Sequence, residues 1–211
     1  MVDSKKVVEI LLAIADKIEQ QKDYLTELDQ PIGDSDHGIN LARGFEAVRQ
    51  KAAVMEGQDV GAILKTAGMA LVSTVGGASG PLYGSAFMKA GVALAGKTQI
   101  DGEGFLNMMD AAIEAVKQRG KAQEGEATML DAMCPSLRAM REAMESGKPM
   151  AEVLSEGVKA SWEGARHTKG LVATKGRASY VGERGLGHQD PGATSYSFML
   201  EAVSQSMEGG Q

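Results

Sequence analysis

The 211-residue chain has a single cysteine, Cys134, which excludes an internal disulfide and a cysteine-rich zinc site. It has no excess of basic charge. Lys and Arg total 22 against 28 Asp and Glu, a net charge of −6, whereas general nucleic-acid or membrane-surface binding needs a basic footprint. No apolar run is long enough to span a bilayer. The N-terminal "MVDSKKVVEILLAIADKIEQ" is charged throughout, as an amphipathic helix is and a signal peptide is not. The expected compartment is the cytoplasm. Aromatic residues are scarce, at 4 %, and convincing strand alternation is missing, while Ala, Gly and Met are abundant. That composition suits closely packed helices rather than a Val- and Tyr-rich sheet. No Ser-His-Asp or Cys-His arrangement suggests covalent catalysis.

What is present has a helical period almost everywhere. The length fits one domain, residues 1–211. Eight helices are expected. The first runs from an N-cap at Ser4 to about Leu28, and the second from Ile39 to Met55. The third follows a cap at Asp59 to Val75, and the fourth runs from Pro81, a first-turn proline, to Ala95. The fifth covers Gly104 to Gln118, the sixth Thr128 to Glu145, and the seventh Pro149 to Arg166. The last begins at Asp190-Pro191 and ends near Met207, leaving "MEGGQ" as a frayed tail. Short connections favour antiparallel neighbours, in a ring or a layered bundle. One connection is long. Residues 166 to 193, "RHTKGLVATKGRASYVGERGLGHQDPGA", hold seven basic or histidine side chains and six glycines, as functional or disordered loops often do.

Asp29, Asp34 and Asp36 fall within eight residues of a Pro- and Gly-broken loop, "LDQPIGDSDHGIN". Ionised carboxylates about 5 Å apart repel by roughly 3 kcal/mol per pair at an effective dielectric near 20. A hard divalent cation such as Mg²⁺ removes that cost and leaves room for phosphate oxygens in its shell. An EF-hand is excluded, because the twelfth loop position from Asp34 is Phe45, where a bidentate Glu is required. His37 adjoins the cluster, as a structural histidine or a group that contacts phosphate.

"STVGGASGPLYG", Ser73 to Gly84, reads as a helix end, a glycine turn and a helix start. Free N–H groups at Ser79 and Gly80 would suit a phosphate, although close helix packing also uses Gly and Ala. "GVALAGKT", Gly91 to Thr98, has the Walker A spacing but lies at the end of a helix, with no strand before it, so it is not expected to be a P-loop. In the long connection Lys169, Lys175, Arg177 and Arg184 supply cations, and an arginine fork suits phosphate.

The succession "GDSDHGIN", "GGASGPLYG", "RGKAQEGEATMLD" and "KGRASYVGERGLGHQDPGATS" resembles the ADP-binding L subunits of phosphotransferase-system-dependent dihydroxyacetone kinases, over essentially the whole chain. The resemblance implies an all-α fold, a closed barrel of eight antiparallel up-and-down helices with the nucleotide in the loops at one end. It implies that Asp29, Asp34 and Asp36 hold two Mg²⁺ ions against the phosphates. It places His37, Gly38, Ile39, Asn40, Ala78, Ser79, Gly120, Met129, Arg177, Asp190, Pro191 and Gly192 at the nucleotide. The glycines around Arg177 suggest that residues 166–193 act as a lid, with Arg177 stabilising charge on the transferring phosphoryl group in catalysis. The implied cofactor is tightly bound ADP/ATP. The implied partners are a phosphohistidine-carrying M subunit and a K subunit that holds dihydroxyacetone, with a homodimer as a further option. Ala127 departs from the basic or polar residue expected within "GEATMLD". Two other readings compete. An all-helical Mg²⁺-diphosphate enzyme would want aspartate-rich motifs on two facing helices, and the sequence has one cluster. A regulatory module carrying ADP, or an L domain serving another small-ketose kinase, would keep the same loops.

Overall fold

In the computed structural model, which describes residues 1–208, the chain is built almost wholly from helices. They are α1 (Ser4–Gln20), α2 (Lys22–Asp29), α3 (His37–Arg49), α4 (Ala52–Met55), α5 (Val60–Thr74), α6 (Ser79–Ala93), α7 (Gly102–Gly120), α8 (Leu130–Glu145), α9 (Met150–His167) and α10 (Pro191–Glu208). Counting α1 and α2 as one rod and leaving out the four-residue α4 gives the eight expected rods. Each rod packs against the next in sequence, and α10 packs against α1, so the pairings trace a closed ring. No described helix is long and apolar enough to cross a membrane.

The caps explain most boundaries. Asp59 accepts from the Ala62 N–H at 3.0 Å and starts α5 as expected. Asp3, not Ser4, caps α1 by accepting from the Lys6 N–H at 2.8 Å. Ser4 instead donates its N–H to the Thr98 carbonyl at 3.1 Å, next to a two-residue antiparallel ladder between β1 (Val2–Asp3) and β2 (Gln99–Ile100). A ladder of two residues is too short to show alternation. Asp101 caps α7 through the Gly104 N–H at 2.8 Å, so that helix begins at Gly102. The first expected helix is interrupted at Gln21, and α2 turns to lie against the start of α3. There a Cβ on Gly38 would overlap the Lys22 carbonyl. The second expected helix stops at Arg49 and resumes as α4. α10 runs to Glu208, and the last three residues of the expected frayed tail lie outside the described residues.

Pro135 lies inside α8 and has no N–H to give to the carbonyl four residues earlier, that of Asp131. α9 fills the gap. Gly164 sits so close to this freed oxygen that a Cβ would overlap it. The proline and the glycine together bring α8 and α9 into close contact just below residues 121–129.

The direction of the rods alternates, as the seam between α5 and α6 shows: Gly61 faces the Gly91 carbonyl, and Gly68 faces the Gly84 carbonyl. Four connections therefore share one end of the ring: residues 30–36, 75–78, 121–129 and 168–190. Towards the other end the helices leave an apolar cavity of about 300 Å³, lined among others by Val2, Ile100, Phe105, Met109, Met150 and Met207. The Walker-like string also lies at that other end. Gly91 to Ala93 belong to α6, Gly96 has φ +74°, and the Lys97 carbonyl accepts from the Val60 N–H at 2.7 Å. Helix rather than strand precedes Lys97, so the string does not form a P-loop.

Candidate functional site

The acidic loop folds around Asp29, the last residue of α2 and a buried one. Its Oδ2 accepts from the N–H groups of Asp36 at 3.0 Å and His37 at 3.2 Å. Its carbonyl accepts from the Gly33 N–H at 2.6 Å, and only a glycine at position 33 avoids the Asp29 carboxylate. Ser35, with φ +60°, completes the reversal in the left-handed region that side chains seldom adopt. As a result Asp29, Asp34 and Asp36 each offer a carboxylate oxygen within 4.8 Å of the other two. Three hard oxygen donors at this spacing, one buried and two facing outward, fit a hard divalent cation. Arg177 reaches in from the long connection, its Nη2 2.8 Å from Asp34 Oδ2.

Behind the loop, His37 opens α3 and is buried. Its Nδ1 is 3.0 Å from Ser79 Oγ, and its Nε2 is 3.0 Å from Ser195 Oγ. Burial pulls its pKa down to about 4 against the opposing pull of Asp29, so at neutral pH one ring nitrogen donates and the other accepts. The chain of polar groups continues inward. Ser195 Oγ is 2.8 Å from the Tyr83 hydroxyl, and both lie within 3.1 Å of the Gly192 carbonyl. Tyr83 also lines the apolar cavity, so its ring separates that cavity from the polar end. No buried side-chain polar atom among the described residues lacks a partner.

The other expected residues fall around this centre. Ala78 and Ser79 start α6 beyond Gly77, which has φ +66°. Asn40, on α3, accepts from Arg43 Nη2 through Oδ1 at 2.6 Å, while Arg43 Nε donates to the Thr74 carbonyl. A Cβ on Gly76 would come 3.3 Å from Asn40 Nδ2, so the glycine turn lies against that amide. Ile39 is half exposed at the rim. Gly38 lets α2 pack closely on the start of α3. Met129 is buried and touches the position where a Gly192 Cβ would stand. Gly120 ends α7, where a Cβ would come 3.2 Å from Leu82.

Pro191 starts α10, and Asp190 caps it by accepting from the Ala193 N–H at 2.6 Å. Its own N–H donates to Thr168 Oγ1 at 2.9 Å. Burial of the carboxylate raises the Asp190 pKa to about 7, with Asp131 and Asp29 adding repulsion. Asp190→Asn keeps the cap acceptor and removes the charge. A group with a raised folded pKa contributes stability that is complete below its unfolded value and is lost as pH rises through the folded one. In chelator-treated, nucleotide-free protein the variant is therefore expected to match wild type near pH 4. By pH 8 it should exceed wild type by up to about 4 kcal/mol, three pKa units at about 1.4 kcal/mol each. Urea unfolding across that range checks this, and parallel curves for the two proteins would contradict it.

Sequence reasoning missed Ser195, Tyr83, Thr168, Arg43 and Asp131. A buried tyrosine needs a hydroxyl partner, so Tyr83 in an otherwise small, apolar helix was the available signal. Ala127, where a basic or polar residue was expected, adopts φ +55° and is buried, so it closes the turn and offers no polar group there. The connection 168–190 is not structureless. It contains 3₁₀ turns at Thr168–Gly170, Arg177–Tyr180 and Gly182–Gly185.

Comparison with known proteins places the chain in a family. The DAK2 domain model matches residues 31–205. The chain is 42 % identical over 191 residues to the ADP-binding subunit DhaL of PEP-dependent dihydroxyacetone kinase 1 of Listeria innocua, covering 90 % of each. It is 40 % identical over 199 residues to the ADP-binding subunit DhaL of the PEP-dependent dihydroxyacetone kinase of Escherichia coli, covering 94 % of this chain and 95 % of the other. In three dimensions it is similar to the dihydroxyacetone kinase of C. freundii solved with AMP-PNP and Mg²⁺. The TM-score is 0.74 at 23 % identity, over 95 % of this chain and 33 % of that one. The chain spans about a third of that structure, which supports the helical architecture alone. With a family model covering most of its length and the acidic loop, glycine turn and long connection gathered at one end of the ring, the chain belongs to the DAK2 domain family.

Proposed function

We propose that this protein is the nucleotide-carrying subunit of a phosphotransferase acting on dihydroxyacetone. Its bound ADP would receive a phosphoryl group from a phosphohistidine on an M-type partner, and the resulting ATP would pass its γ-phosphoryl group to a hydroxyl of dihydroxyacetone on a K-type partner. The relatives' names, which specify an ADP-binding subunit of such a kinase, support this reading. So does the observation that carries it: three carboxylates converge within 4.8 Å beside a glycine turn and an arginine. Asp29, Asp34 and Asp36 would hold two Mg²⁺ ions, which supply charge neutralisation for the terminal phosphates. His37, held neutral between two hydroxyls, fixes Ser79 at the start of α6, where the first backbone N–H groups would face the phosphates. Asn40, Gly76 and Ala78 would line the same side, and Met129, Asp190, Pro191 and Gly192 the nucleoside side. Residues 166–193 would close over the nucleotide and bring Arg177 to the transferring group. Phosphoryl transfer of this kind needs positioning and charge, and no nucleophile from this chain.

The test is reconstitution. Labelled phosphate from a phosphorylated donor subunit should reach dihydroxyacetone only when this chain and the acceptor subunit are both present. Transfer that proceeds without this chain would overturn the proposal. Transfer to a different small ketose in preference would favour the alternative of another kinase partner.

A further inference from the structure

We propose that Glu126 is a positioning residue that latches the long connection through Thr174 and so sets where Arg177 stands. The inference rests on the reading of residues 166–193 as a lid. At its base the connection is clasped to itself: the Gly187 N–H donates to the Lys169 carbonyl at 2.8 Å, and the Asp190 N–H donates to Thr168 Oγ1. Among the described residues, hydrogen bonds and ion pairs tie its middle, residues 171–186, to the rest of the chain at two places. One is the pair between Arg177 and Asp34. The other is Glu126. Its Oε1 accepts from Thr174 Oγ1 at 2.7 Å and lies 3.7 Å from Lys175 Nζ, and its carbonyl faces the Thr174 N–H.

Glu126 is itself held firmly. Its Oε2 accepts from the Gln123 N–H at 2.6 Å. The buried Asp131 accepts from the N–H groups of Gly125 at 2.6 Å and Thr128 at 2.8 Å, on either side of it. Ala127, in the left-handed region, closes the turn. A turn braced by these hydrogen bonds therefore presents one carboxylate to the long connection. Only Lys175 and Gly176 separate Thr174 from Arg177. Clasped at Lys169 alone, Arg177 could range over eight residues of chain, about 26 Å. Fixed at Thr174, it can range over three, about 10 Å. The latch thus confines the arginine to the neighbourhood of the acidic loop without touching a ligand.

The experiment uses the full chain loaded with Mg²⁺-ADP and reads two rates: protease cleavage between Arg166 and Arg184, and release of labelled ADP. Glu126→Ala and Thr174→Val should each raise both rates about tenfold, the scale of a hydrogen bond to a charged group. Glu126→Gln keeps one oxygen to accept from the Thr174 hydroxyl but turns an amide donor towards the Gln123 N–H, so its rates should fall between those of wild type and Glu126→Ala. The double variant Glu126→Ala/Thr174→Val should be no faster than either single one, because both remove the same contact. A general loss of structure would instead spare Thr174→Val, whose side chain is exposed, and lower the unfolding temperature of Glu126→Ala. Wild-type rates in Thr174→Val, or additive effects in the double variant, overturn the latch. If cleavage of wild type itself is indifferent to Mg²⁺-ADP, the lid reading fails, and the latch with it.

Discussion

Asp34→Ala and Asp36→Ala should each abolish Mg²⁺-dependent retention of ADP while leaving the fold intact. Neither residue holds the helices together: Asp36 caps α3 without a side-chain hydrogen bond, and among the described residues the exposed Asp34 pairs only with Arg177 of the long connection. An exposed ion pair contributes about 0–1 kcal/mol, and removing one of three crowded carboxylates relieves repulsion, so unfolding free energies should change by no more than about 1 kcal/mol. Binding is a different matter. Losing an outer-sphere partner of a metal ligand already costs roughly 10–100-fold in metal affinity, and losing a ligand should cost more. Equilibrium dialysis with labelled ADP, with and without chelator, checks both residues. Unchanged retention in both variants would rule out the acidic loop as the cation site. Asp29 is the wrong position to test, because its carboxylate also accepts from two backbone N–H groups, and its removal would unravel the loop.

Arg177→Lys should slow phosphoryl transfer about a hundredfold while ADP stays bound. The Arg177 side chain is 61 % exposed and reaches the acidic loop from a 3₁₀ turn, so packing does not depend on it. Lysine keeps the charge and loses the planar fork that can grip two oxygens of a phosphoryl group at once. Removing one donor aimed at developing charge costs about 3 kcal/mol, a factor of about a hundred in rate, and leaves ground-state binding to the other contacts. Single-turnover transfer from the loaded subunit separates the two. Equal rates for wild type and variant would reduce Arg177 to a surface cation. A matching loss of ADP affinity would make it a binding residue rather than one that acts in the transition state.

Much of this architecture was legible in the sequence because it rests on local signals. Caps such as Asp59, the proline opening α10 and the helical period located the rods. The acidic loop was legible because charge repulsion makes three aspartates in a broken loop costly without a cation. Features that depend on distant residues were hidden. His37, Ser79, Tyr83 and Ser195 come from three helices, and nothing in the spacing of a Ser and a Tyr announces that they meet. Asp131 reads in sequence as an ordinary early-helix acid, and only the turn folded over its carboxylate shows its purpose. The ring itself was not implied by period alone. Antiparallel rods can stack in layers equally well, and the packing of α10 against α1, distant in sequence, is what the period could not supply.

The central claim is that this chain carries a nucleotide in the loops at one end of the ring. The most direct measurement is to purify the protein without added nucleotide, denature it, and identify and count what is released. The account predicts ADP or ATP at close to one molecule per chain, accompanied by Mg²⁺ and lost on chelation. A protein that releases no nucleotide, and that takes up none from millimolar Mg²⁺-ADP, would contradict it.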